Sequence, residues 1–121
     1  MAEGSIEMET IMTEALDDAK MIVELARWGT DMGLEDALAK LFQPDFDRSS
    51  ANDDDPSVRK VLWFYETVGT LVKRGALSGD FVKDVWWVEG MWPLVKPHVM
   101  AAREGSGEAR LYENFEALAT M

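Results

Sequence analysis

Cysteine is absent from this chain of 121 residues, and histidine occurs once, at position 98. The first absence excludes disulfides, thiolate metal sites, iron–sulfur clusters and cysteine nucleophiles together. The second excludes a dinuclear carboxylate centre, which needs Glu-x-x-His pairs on two helices; the residue three before His98 is Val95. A Ser-His-Asp arrangement would have to be built on His98 alone, which stands beside Pro97 in an apolar stretch. A phosphate-cradling loop is also missing, because "REGSGEAR" has neither the lysine nor the preceding strand of a P-loop. No catalytic set, metal site or cofactor is expected, and the chain reads as a non-enzyme.

Long apolar runs are missing too. The opening "MAEGSIEMET" has neither a basic start nor an apolar core, and the stretch after it is interrupted by Glu14, Asp17, Asp18, Lys20, Glu24 and Arg27. This predicts no signal peptide, no membrane contact and a cytoplasmic location. Positive charge is scarce in one half only: residues 1–56 carry 15 acids against 4 bases and residues 57–121 carry 8 against 8, so the first half holds the whole net charge of −11. A negative field repels phosphates, which argues against direct binding of nucleic acid or anionic lipid. The acidic loop "DFDRSSANDDDP" spaces Asp45, Asp47, Ser49, Ala51 and Asp53 like a calcium loop. It fails at Ser50, where glycine is needed, and at Pro56, where a bidentate Glu is needed.

What is present is helical periodicity, in a composition 47% hydrophobic and 29% charged that suits one globular domain. Residues 6–28 read as a first helix capped by Ser5, with Ile11, Ala15, Ala19, Ile22 and Ala26 on its buried face, widened by Met8, Met12 and Val23. Gly29 reads as its stop, and Asp31 as the cap of a short helix with Leu34, Leu38, Leu41 and Phe42 inside, ended by Pro44. Asp55 before Pro56 starts a third helix that reaches Arg74 and stops at Gly75. Its stripe is Val58, Val61, Tyr65, Val68 and Val72, with Gly69 allowing close approach.

After "GALSGD", the spacing of Phe81, Val85, Val88, Trp92, Val95 and Val99 predicts one long fourth helix packed against the third as a hairpin. A second apolar face, Trp87, Met91, Leu94 and His98, runs along the same helix nearly opposite Trp86. Pro93 and Pro97 leave the carbonyls of Glu89 and Pro93 without donors and predict a kink near Gly90 to Pro93. A carboxylate half-buried at Glu89, near Lys96, would have a raised pKa. "EGSG" breaks the chain, and Leu111, Phe115 and Leu118 define a last short helix capped by Ser106. The expected fold is all-α: a small antiparallel bundle of about five helices with a long Pro-kinked fourth helix.

The segment "FYETVGTLVKRGALSGDFVKDVWWVEGMWPLVKPHVMAAREGSGEARLYENFEALA", residues 64–119, resembles the small helical prokaryotic proteins of domain-of-unknown-function family 4760. The shared features are the aromatic-rich run ahead of a glycine, the "VKRG" turn, the Trp-bearing helix before a Pro and an Arg, and the terminal "YENFE". Residues 1–57 carry no such likeness. The resemblance implies a helical hairpin and no chemistry. Its matching positions, among them Gly69, Trp92, Arg103 and Tyr112, suit core, turn or cap roles, and Arg103 is expected to hold Tyr112 or Glu113.

Two functional expectations follow. Five tryptophans are hard to bury in one chain of this size, so Trp63, Trp86, Trp87, Met91, Trp92, Leu94 and His98 are the candidate interface, with a homodimer as the simplest assembly. A Trp-lined pocket for a small molecule at the kink is the variant of that reading. The second expectation is a surface of Asp17, Asp18, Glu24, Asp31, Asp36, Asp53, Asp54 and Asp55 facing solvent or a basic protein partner, or standing in for nucleic-acid phosphates in an inhibitor of a DNA- or RNA-processing enzyme.

Overall fold

The computed structural model describes residues 2–46 and 54–121, with side chains from residue 6 onward. Asp47, Asp53 and most of the acidic loop lie outside the described residues. The described residues form six helices and no strand: α1 (Ala2–Met32), α2 (Leu34–Leu41), α3 (Pro56–Lys73), α4 (Gly79–Val85), α5 (Val88–Ser106) and α6 (Glu113–Ala119). The all-helical class is as expected from the periodicity.

α3 is the centre, flanked chiefly by α2 and α6, while α5 lies against α6 and α3. It begins as its sequence dictates: the Asp55 carboxylate accepts from the Ser57 and Val58 amides at 2.8 and 3.1 Å, and Pro56 occupies the first turn. It ends at Gly75, whose φ of 77° closes a Schellman turn in which Gly75 N donates to the Val72 carbonyl and Ala76 N to that of Leu71. Val58, Val61, Leu62, Phe64 and Val68 are fully enclosed. Gly69 is required, because a Cβ there would collide with the Asn114 carbonyl of α6. The main partners of α3 are therefore α2 and α6; the expected pairing with the fourth helix is the lesser contact.

Several boundaries differ from expectation, the first being the start of α1 at Ala2, which places Ser5 within the helix and not at its cap. α1 runs through Gly29 and Asp31 to Met32, and the break falls at Gly33, which takes the left-handed conformation (φ 79°). Gly29 serves packing instead, since a Cβ there would press on Leu34 and Phe64 at 3.3 Å. "EGSG" does not break the chain at its start: α5 continues through Gly105 to Ser106 and Gly107 ends it at φ 73°. Ser106 therefore does not cap α6; its hydroxyl accepts from the Glu108 amide.

The expected long fourth helix is two helices. The interruption lies at Trp86 and Trp87, ahead of the prolines, where Trp86 is extended and Val88 N donates back to the Trp86 carbonyl at 2.9 Å across an inverse γ-turn centred on Trp87. The turn lets the Trp86 ring meet Phe64 edge-on at 5.5 Å. Gly90 belongs to it, because a Cβ there would collide with the Trp87 indole. α5 then runs through both prolines. Glu89, Pro93 and Pro97 are all exposed, so the two carbonyls that lose donors lie on the side of the helix open to solvent, where water can take the place of the missing N–H groups. This is how one helix tolerates two breakers.

Candidate interaction surface

The core explains which predicted site residues are accessible. Tyr65 stacks on Phe115 at 5.0 Å, Trp92 meets Phe115 edge-on at 5.1 Å, and Phe64 is ringed by Trp28, Tyr65 and Trp86. Burial pushes the Tyr65 phenol up to about 12 and keeps it protonated. Phe46, from the segment after α2, stacks on His98 at 5.5 Å. Val88, Met91, Trp92, Leu94, Val95, His98 and Val99 are consequently enclosed by the chain itself. Both apolar faces of α5 are satisfied internally, and of the seven candidate interface residues Met91, Trp92, Leu94 and His98 cannot meet a partner without opening the core. Trp86 is half-buried, and Val85, assigned to the seam, is exposed.

Trp63 and Trp87 stay outside, each 65% exposed. Trp63 shares a shallow groove of about 340 Å³ with Arg59, Glu66 and Tyr112. Beside it stands a feature that helical periodicity does not reveal. The Glu66 carboxylate, from the middle of α3, accepts from the Asn114 and Phe115 amides at 2.9 Å each and from the Asn114 side chain at 2.9 Å. Those are the second and third amides of α6, the donors that a local capping residue would satisfy. Tyr112 precedes them in the left-handed region (φ 60°), a strained conformation for an aromatic residue, held by this long-range cap. Arg103 tightens the same junction, donating to the Leu111 carbonyl at 2.8 Å and to Glu116 at 2.9 Å. Glu113 pairs with Arg110, whose guanidinium holds its carboxyl below the usual range, with a smaller contribution from the Arg103 charge.

Among the described residues, half of the exposed large apolar side chains lie on α1. At about 100° per residue its body-facing arc is Met21, Ile22, Leu25, Trp28, Gly29 and Met32, all buried or half-buried. The face expected to be buried meets the body only in part: Ile22 is buried and Ala19 half-buried, while Ala15, Ala26, Met8, Ile11, Met12 and Val23 are exposed. The physical reason is that Leu25, Trp28 and Gly29 offer larger and closer contacts to α2 and Phe64 than an alanine row does. Ile6, Met8, Ile11, Met12, Leu16 and Val23 each leave more than half of their surface in water. A groove of about 250 Å³ lined by Ala26, Gly29, Leu34, Leu38, Phe64 and Trp86 borders this face.

The chain belongs to the family described as Domain of unknown function (DUF4760), whose sequence model matches residues 8–121. The match thus reaches through most of α1 and all of α2 and α3 and is not limited to residues 64–119. No curated protein and no solved structure gives a significant match.

Of the acidic residues, Asp17, Glu24, Asp31, Asp36, Asp54 and Asp55 are exposed and Asp18 half-buried. Asp55 is engaged as the α3 cap. Glu14, Asp17 and Asp18 line a groove of about 510 Å³ together with Gly75, Ala76, Leu77 and Ser78. Glu89 is exposed and bound to Lys83 at 2.9 Å, and the Lys83 hydrogen bond lowers its pKa, the reverse of the shift expected for a half-buried carboxylate. Among the described residues no group of three or more His, Cys, Asp or Glu side chains is placed to hold a metal ion, and no helix is long and apolar enough to cross a membrane.

Proposed function

We propose that the chain is a non-catalytic helical interaction module, a small bundle bent at the wet-side prolines of α5, which self-associates through apolar surface its own core leaves open. One observation carries the reading: Met8, Met12, Leu16 and Val23 share the side of α1 away from the body, each over half exposed. Such a contiguous patch is uncommon on a monomer and typical of an interface. Trp63 and Trp87 supply two further anchors of the kind found at interface centres. The acidic remainder of α1 faces solvent or a basic partner. Sedimentation equilibrium at micromolar concentrations tests the reading. It expects a dimer that Trp63→Ala, Trp87→Ala or a charge on the α1 face weakens without loss of helical content; a monomer throughout that range refutes it.

A second reading, a mimic of nucleic-acid phosphates, is supported by the absence of any base before Lys20 while Glu3, Glu7, Glu9, Glu14, Asp17 and Asp18 precede it. It predicts salt-sensitive binding to a DNA- or RNA-processing enzyme, and absence of binding at low salt removes it.

A further inference from the structure

We infer that the α1 face is occupied by α1 of a second copy of the chain, running antiparallel. This rests on the self-association reading above and specifies its geometry. The exposed residues Met12, Leu16, Val23 and Ala26, with the half-buried Ala19, follow one another at intervals of four, three, four and three, the seam of a two-helix coiled coil, on the side of α1 away from the body. Residues 6–17 are all exposed, and of them Glu14 and Asp17 border the turn between α3 and α4. A helical stretch with so little burial is marginal in water, so a covering partner also explains its helicity.

Charge selects the direction of the pair. The first half of α1 carries Glu3, Glu7, Glu9, Glu14 and Asp17 without a base, and the second half carries Asp18, Glu24 and Asp31 with Lys20 and Arg27. A parallel pair sets five unopposed acids against five. An antiparallel pair sets each acidic half against the half that holds the bases. A two-fold axis between Asp17 and Asp18 places Met12 opposite Val23 of the second copy and Leu16 opposite Ala19, large against small in both layers. The same register brings Glu9 within one residue of Arg27 of the second copy and Lys20 within two of Asp17. Met8 and Ile11 then lie over the groove beside Ala26 and Gly29.

The lack of native cysteine makes the geometry directly testable. Met12→Cys and Val23→Cys variants, mixed and oxidised, are expected to cross-link with each other and neither with itself. In the proposed register identical positions are about 17 Å apart along the axis, whereas a disulfide requires Cα atoms within about 7 Å. Leu16→Asp is expected to weaken the dimer by more than about a hundredfold, with tryptophan fluorescence unchanged as the check on folding. Cross-linking of either variant with itself overturns the antiparallel pairing. A dimer insensitive to Leu16→Asp but lost in Trp63→Ala or Trp87→Ala overturns this inference and leaves the self-association reading standing. A wild-type monomer overturns both.

Discussion

The two longest surfaces of α1 and α3 are built from similar material and meet opposite fates. α3 presents Val58, Val61, Tyr65 and Val68 along one side, and each is sealed by α2 or α6. α1 presents Met8, Met12, Leu16 and Val23 along one side, and each remains in water. Apolar periodicity thus identifies a face that needs a cover; it does not say whether the cover is the same chain. In α3 the cover comes with polar anchorage, since Glu66 holds the start of α6 and Gly69 admits its backbone. Among the described residues the outward face of α1 has no counterpart of that anchorage.

The contrast is sharpest in the effect of deleting a side chain. Phe64→Ala removes a fully enclosed ring that touches Trp28, Tyr65 and Trp86, and should cost about 3–5 kcal/mol in denaturant unfolding, a large share of a small domain's stability. Glu66→Ala strips three hydrogen bonds to a charged acceptor from the start of α6 and should cost about 2 kcal/mol, with hydrogen exchange accelerating first at Asn114 and Phe115. Asp55→Ala removes a local cap and should cost about 1 kcal/mol, read as earlier thermal unfolding. Leu16→Ala, at an exposed α1 position, should change the stability of an isolated monomer by no more than about 0.5 kcal/mol while loosening the dimer. An effect there as large as that of Phe64→Ala would erase the distinction between the two faces.

The smallest effect is electrostatic. Lys83 holds the Glu89 carboxyl below its ordinary pKa of 4.5, so the pair's contribution is present above that pH and is lost as pH falls through the lowered folded value. Both groups meet at the surface, where water screens them. Glu89→Gln should therefore lower neutral stability slightly and leave stability in strong acid unchanged, which flattens the acid limb of a stability-against-pH curve. A loss of equal size in strong acid would contradict the assignment.

Local chemistry was legible where one residue suffices. Asp55 before Pro56 starts a helix in any context, because its carboxylate reaches amides two and three residues on and the proline has no N–H to lose. Gly75 ends the same helix because it adopts a positive φ at little cost. Gly29 and Gly33 could both have ended α1, and residue type does not separate them; Phe64, distant in sequence, makes Gly29 a packing residue. The tryptophans divided for the same reason. Trp92 and Trp87 both sit on apolar stripes of the fourth helical segment, yet Phe115 covers Trp92 and nothing comparable covers Trp87.

Sequence by itself determined the helical class, the limits of α3 and which side chains share a face, because these follow from bonds and rotations between residues a few positions apart. Tertiary structure alone decided which face of α1 meets the body, that the fourth segment turns at Trp86 and Trp87, and that Glu66 caps a helix 48 residues away. Those outcomes depend on contacts between distant segments, whose strength is set by shape and closeness of fit, and a period along one helix carries no information about the partner it will meet.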